Sequence, residues 1–122
     1  MLSIAPGTRI YLAVEPVDLR RGHDGLTALV RARFGLDPLD GHLFVFVGRR
    51  VDRVKILFWD RGGFVLYYKR LAQGRFRMPK VAPRADRVVL DGTELAMLLG
   101  GFDLVGARRV PAWEPSRRSR TA

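Results

Sequence analysis

Three apolar and β-branched runs, His42–Val47, Arg53–Trp59 and Phe64–Leu71, follow each other so closely that the connectors Gly48–Asp52 and Asp60–Gly63 cannot hold a crossover. Parallel neighbours need a dozen or more residues between them, whereas antiparallel strands join through turns of this length. The three runs are therefore predicted to form an antiparallel meander. From Leu43 to Val47 every position is apolar, as expected of a central strand covered on both faces. The other two runs alternate. Val54, Ile56 and Phe58 oppose Lys55, Leu57 and Trp59, and Phe64, Leu66 and Tyr68 oppose Val65, Tyr67 and Lys69.

Around this meander the remaining elements are short. Arg9–Val14 alternates as a strand, and Arg87–Leu90 has the composition of a last one. A helix is expected from an Asp18 N-cap to about Phe34, with Leu19, His23, Leu26, Leu29, Val30 and Phe34 as its apolar stripe and Gly35 as its C-cap. Gly22 and Gly25 weaken its first turns. Asp91 and Glu94 have the spacing of a capping box before a short helix through Leu95, Leu98 and Leu99. The expectation is an α+β fold: a small antiparallel meander, one main helix packed on a face, and a short C-terminal helix. At 122 residues one domain suffices, placed at 1–104, with a basic and disordered tail at 105–122.

Several chemistries have no foothold. Without cysteine there is no disulfide scaffold, thiolate nucleophile or Cys-ligated metal. P-loop, nucleophile-elbow and dinucleotide glycine motifs are missing, and no cofactor is implied. His23 and His42 are too few for a metal site, and His23 falls on the helix stripe as a semi-buried side chain. Asp52, Asp60 and Asp86 could hold Mg²⁺ for nuclease chemistry only by meeting in one coordination sphere. Each, like Asp91, has a simpler role at a turn or cap. The start lacks a signal-peptide pattern, and no apolar run is longer than Leu43–Val47, far short of the roughly 20 residues a bilayer demands, so a soluble, cytoplasmic protein is expected.

Charge supplies the positive signal. The formal net charge is +10, with 22 Lys and Arg against 12 Asp and Glu. Residues 1–48 are neutral and residues 88–122 carry +1, whereas residues 49–87 hold twelve cations against three carboxylates. Such a concentration points to a polyanion, of which nucleic acid is the commonest in a cytosol. Arg49, Arg50, Arg53, Lys55, Lys69, Arg70, Arg75 and Arg77 are the candidate phosphate contacts. Trp59 and Tyr67 either stack on bases or form second-layer core beneath the helix, depending on whether the register puts them on one face with Lys55 and Lys69. Arg20 and Arg21 either form an anion site at the first turn of the helix, or are solvated if the helix begins near His23.

The stretch Asp18-Leu-Arg-Arg-Gly-His-Asp-Gly-Leu26, then Leu43-Phe-Val-Phe46, Arg49-Arg50, Lys55, Leu57-Phe-Trp-Asp60, Gly63 and Leu66-Tyr-Tyr-Lys-Arg-Leu71, with Gly74, Arg75, Phe76 and Pro79, resembles the TnpB-type accessory proteins of insertion-sequence-66 transposable elements. The resemblance runs from about residue 8 to residue 104. It departs where the family commonly has an aromatic at His23 and a Trp at Met78. These small proteins are encoded beside a separate transposase and are unrelated in motif to the longer RNA-guided nucleases of the same name. The resemblance implies a role in DNA transposition, with no established activity or catalytic residue set; the expectation is a non-catalytic accessory protein in a prokaryotic, nucleoid-associated setting. Element-end DNA and the transposase are the expected partners. The alternatives are an adaptor that docks on the transposase without touching DNA and, more remotely, the Mg²⁺-dependent nuclease.

Overall fold

The meander forms from β2 (Leu43–Val47), β3 (Arg53–Asp60) and β4 (Gly63–Arg70), paired antiparallel in that order. A computed structural model describes residues 5–100 together with the backbone of 102–103 and 108–109. Two further strands widen the sheet. β1 (Ile10–Ala13) lies parallel to β2, with Ile10 beside Leu43 and Leu12 beside Val45, and β5 (Arg87–Leu90) runs antiparallel along the other side of β1. The order is β4-β3-β2-β1-β5, a mixed sheet in an α+β fold. The stretch between Val14 and His42 is long enough for the crossover that parallel pairing demands, and the main helix occupies it. Two-residue strands β6 (Phe102–Asp103) and β7 (Arg108–Arg109) pair separately. The expected tail boundary at residue 105 lies outside the described residues.

That helix, α1 (His23–Leu29), begins four residues later than the Asp18 cap implies and ends in a wider π-type turn over Val30–Phe34. Asp18 instead accepts from the Arg20 backbone N–H at 3.0 Å and grips the Arg20 guanidinium, a local turn that competes with helix initiation. Gly22 is the N-cap, without a side-chain cap bond. His23 is exposed rather than on the buried stripe, which consists of Leu26, Thr27, Val30 and Phe34. Thr27 satisfies its hydroxyl on the carbonyls of His23 and Asp24. Gly35 terminates the helix in the left-handed conformation, with the Leu36 N–H reaching back to the Val30 carbonyl.

Both faces of the sheet are covered. On the α1 face Tyr11, Ala13, Phe44, Phe46 and Leu57 pack with Val17, Leu26, Val30 and Phe34. On the other face Ile10, Leu12, Val45, Val54 and Ile56 pack with Phe76, Leu95 and Leu98, the last two from α2 (Gly92–Gly100). The capping box before α2 is formed in both directions: the Glu94 N–H donates to Asp91 at 2.8 Å and the Asp91 N–H donates to Glu94 at 3.0 Å. β2, central between the layers, is buried at every position.

One cation fastens the far edge to the helix. The Arg87 guanidinium donates to the Phe34 carbonyl at 2.8 Å, at the end of the helical segment where carbonyls lack intrahelical partners. It also lies 5.5 Å from the Phe34 ring and 6.0 Å from the Tyr11 ring, with Asp86 at 3.5 Å. Arg87→Met keeps the apolar stem and removes these polar contacts, so it is expected to cost about 1–2 kcal/mol in urea unfolding with little change in slope.

Candidate nucleic-acid interface

The connector between β2 and β3 turns tightly. The Val51 N–H donates to the Gly48 carbonyl at 2.9 Å, and the Gly48 N–H donates to the Arg53 carbonyl at 3.0 Å. Val51 has φ of +61°, a conformation unfavourable for a β-branched residue. It is held there from outside: the Phe76 N–H donates to the Val51 carbonyl at 2.7 Å, and the Leu71 N–H donates to the Asp52 carbonyl at 2.8 Å. Those two bonds bring the end of β4 and the segment around Phe76 against the turn. Arg49, Arg50, Arg53, Arg70, Arg75 and Arg77 thereby gather at one end of the sheet.

Opposite the turn runs the segment that leads into α1. The Val17 N–H donates to the Val47 carbonyl at 3.0 Å, and Lys55 Nζ donates to the Arg21 carbonyl at 2.9 Å. A Cβ on Gly48 would lie 3.2 Å from Leu19 Cδ1, so the absence of a side chain there allows the segment to approach closely. Between segment and turn lies a groove of about 690 Å³, lined by Arg20, Arg49, Arg50, Arg53 and Lys55, with Asp18, Asp52 and Tyr68. Five cations face two carboxylates.

The pairs differ in strength. Arg20 meets Asp18 through a bidentate fork, at 3.0 and 2.8 Å to the two carboxylate oxygens. Arg53 Nε and Asp52 Oδ1 are buried 3.7 Å apart with no hydrogen-bond partner, too far to bond each other. Arg49 and Arg50 are exposed and enter none of the ion pairs found among the described residues. Arg53 also stands directly across from Arg70, a like-charge cross-strand pair that costs stability without an anion between them.

Register separates the aromatic candidates. Asp60 pairs with Gly63 across a two-residue turn whose Arg61 and Gly62 both have positive φ, the hallmark of a type I′ hairpin. Every later pair follows: Lys55 opposes Tyr68 and Trp59 opposes Phe64 on the α1 face, while Val54 opposes Lys69 and Ile56 opposes Tyr67 on the other. The proposed grouping of Trp59 and Tyr67 with Lys55 and Lys69 is thus split over two faces. Trp59 sits half-buried, edge-on to Phe64 at 5.0 Å, roughly 20 Å along β3 from Arg53. Tyr67 packs into the α2-side core, and Lys69 donates to the Leu99 carbonyl at 2.9 Å. Sequence reasoning passed over Tyr68, the aromatic that the register brings to the groove.

Similarity to known proteins supplies the context for this groove. The family model described as IS66 Orf2 like protein matches residues 8–109. This chain belongs to that family. Two relatives from Sinorhizobium fredii strain NGR234, both described as uncharacterized proteins, y4jC and y4hO, are 37% and 33% identical over 117 residues. Each match covers 96% of this chain and 98% of the relative. No solved structure matches. An IS66 Orf2-like protein is an accessory component of insertion-sequence transposition.

Two features bear on chemistry in this IS66 Orf2-like protein. Asp52 and Asp60 stand at opposite ends of β3, Asp86 pairs with Arg87, and Asp91 caps α2. The proposed carboxylate cluster is therefore dispersed, and among the described residues no group of three or more His, Cys, Asp or Glu could hold a metal ion. No helix among them is long and apolar enough to cross a membrane.

The Arg20 fork and the Arg20 backbone N–H hold the Asp18 carboxyl far below the usual carboxylate range, and the pair raises Arg20 in return. Because the folded value is lowered, any stability from this exposed pair is present above the ordinary aspartate value and is lost as pH falls through the lowered one. In a carbon-13 NMR titration Asp18 is expected to stay ionised through about pH 3.9, and Arg20→Gln to return its titration toward that value.

Proposed function

We propose that this accessory protein binds the DNA of its insertion sequence through the basic end of the sheet and takes part in transposition without catalysing strand transfer. The observation that carries the reading is the groove in which Arg20, Arg49, Arg50, Arg53 and Lys55 face only Asp18 and Asp52. Arg70, Arg75 and Arg77 extend this surface. Arg49 and Arg50 are the principal phosphate contacts because their charges are uncommitted, whereas Arg20 is largely neutralised by Asp18. Lys69, tied to Leu99 on the far face, and Arg21, whose carbonyl holds Lys55, are peripheral. Trp59 and Tyr67 act as packing residues.

Binding dominated by phosphate contacts weakens steeply as salt displaces the cations from DNA. In fluorescence anisotropy with labelled element-end DNA, affinity is expected to fall as salt rises. The double variant R49E/R50E should bind much more weakly and flatten the dependence of log K on log salt by about one for each phosphate it no longer engages. Binding that is absent, or indifferent to salt, overturns the reading. Nuclease-resistant co-purification with the transposase, abolished in R49E/R50E, would then assign the same surface to an acidic face of that protein.

A further inference from the structure

Tyr68 is 50% exposed, the most open of the Phe, Trp and Tyr side chains among the described residues. Its neighbours on the same face of β4, Phe64 and Leu66, pack against the core beneath α1. Tyr68 lies beyond that cover, on the wall of the basic groove. Lys55 stands across from it on β3, with Nζ 5.3 Å from the ring centroid and anchored by the Arg21 carbonyl. A planar ring is thus left half open to water, with a positioned ammonium over it and the Arg53 and Arg70 pair next along the same face of the ladder.

We infer that Tyr68 is a stacking platform for an unpaired base, and that the groove takes single-stranded DNA in preference to duplex. This rests on the nucleic-acid reading above. In a duplex both faces of each base are covered by its neighbours, so a lone tyrosine has nothing to stack on unless the duplex opens. An unpaired base offers a free π-face, and a tyrosine beside cations captures it without regard to sequence. The groove volume of about 690 Å³ falls within the range of small-molecule sites, a scale suited to individual nucleotides. With the base on Tyr68, Lys55 and Arg53 are placed for the adjoining phosphate, and Arg49 and Arg50 for the strand as it leaves the groove over the turn.

The test uses the full chain, a labelled oligothymidylate and a labelled duplex of two fully complementary strands, at fixed salt, with each variant's thermal melt recorded. The oligothymidylate is expected to bind more tightly than the duplex. Tyr68→Leu should lower single-strand affinity roughly tenfold or more while leaving duplex affinity nearly unchanged. Tyr68→Phe should retain wild-type binding, because stacking needs the ring and not the hydroxyl. A folded Tyr68→Leu that binds the oligothymidylate like wild type, or a Tyr68→Phe that loses as much as Tyr68→Leu, overturns the stacking role and leaves the DNA reading standing. Failure of the wild type to bind either DNA overturns both. Should Tyr68→Leu melt, Tyr68→Trp decides: a larger ring tightens single-strand binding if it stacks, and unchanged or weaker binding overturns the inference.

Discussion

The parallel pairing of β1 with β2 is the constraint from which the rest of the molecule follows. Ile10, Tyr11 and Leu12 lie beside Leu43, Phe44 and Val45, all six buried, with side chains alternating into the two core layers. Apolar burial of this kind is the dominant favourable contribution to folding, and a strand pair wet on one face would lose much of it. Parallel pairing obliges the chain to cross over, and the crossover lays α1 on one face of the sheet. β5 then closes on β1 from the other side and supplies Arg87, which ties the edge to the end of the helical segment. The second face is closed by α2 and Phe76.

The same crossover creates the groove. Its first segment, pinned to the end of β2 by Val17 and to β3 through the Lys55 ammonium, stands across from the β2–β3 turn. That turn carries an unfavourable Val51 conformation, offset by hydrogen bonds from Leu71 and Phe76. Holding the turn in this way concentrates cations at one end of the sheet, where Arg53 and Arg70 oppose each other with only Asp52 beside Arg53. Like charges crowded together destabilise the isolated protein, and a polyanion in the groove removes that penalty. This is the physical link between the fold and the proposed DNA contact.

Much of this was legible in the residues. Connector lengths implied the meander, the unbroken apolar run of Leu43–Val47 implied the central strand, and the Asp91 and Glu94 spacing implied the α2 cap; each is present. The charge of residues 49–87 pointed to the turn and its surroundings, where the groove is found. Other expectations failed for identifiable reasons. Asp18 looks like an N-cap, but its carboxylate binds Arg20 two residues on, a local turn that sequence alone does not distinguish from a cap. Tyr67 is a sequence candidate and Tyr68 is not, because alternation assigns residues to faces within a strand and is silent about which faces of neighbouring strands coincide. The signal was present in Arg61-Gly62: taken as the two central residues of a type I′ turn, they pair Asp60 with Gly63 and hence Lys55 with Tyr68.

Besides carrying the resemblance to an insertion-sequence family, the sequence by itself determined the α+β class, the meander and the location of the excess charge. These depend on spacing, composition and local hydrogen bonding, which act over a few residues. Only the tertiary structure decided that β1 joins β2 in parallel, that the segment before α1 meets the β2–β3 turn, and that the Lys55 and Tyr68 pair thereby lines a groove. Those outcomes depend on contacts between residues far apart in the chain, such as Val17 with Val47 and Lys55 with Arg21, whose formation is selected by burial of the whole core.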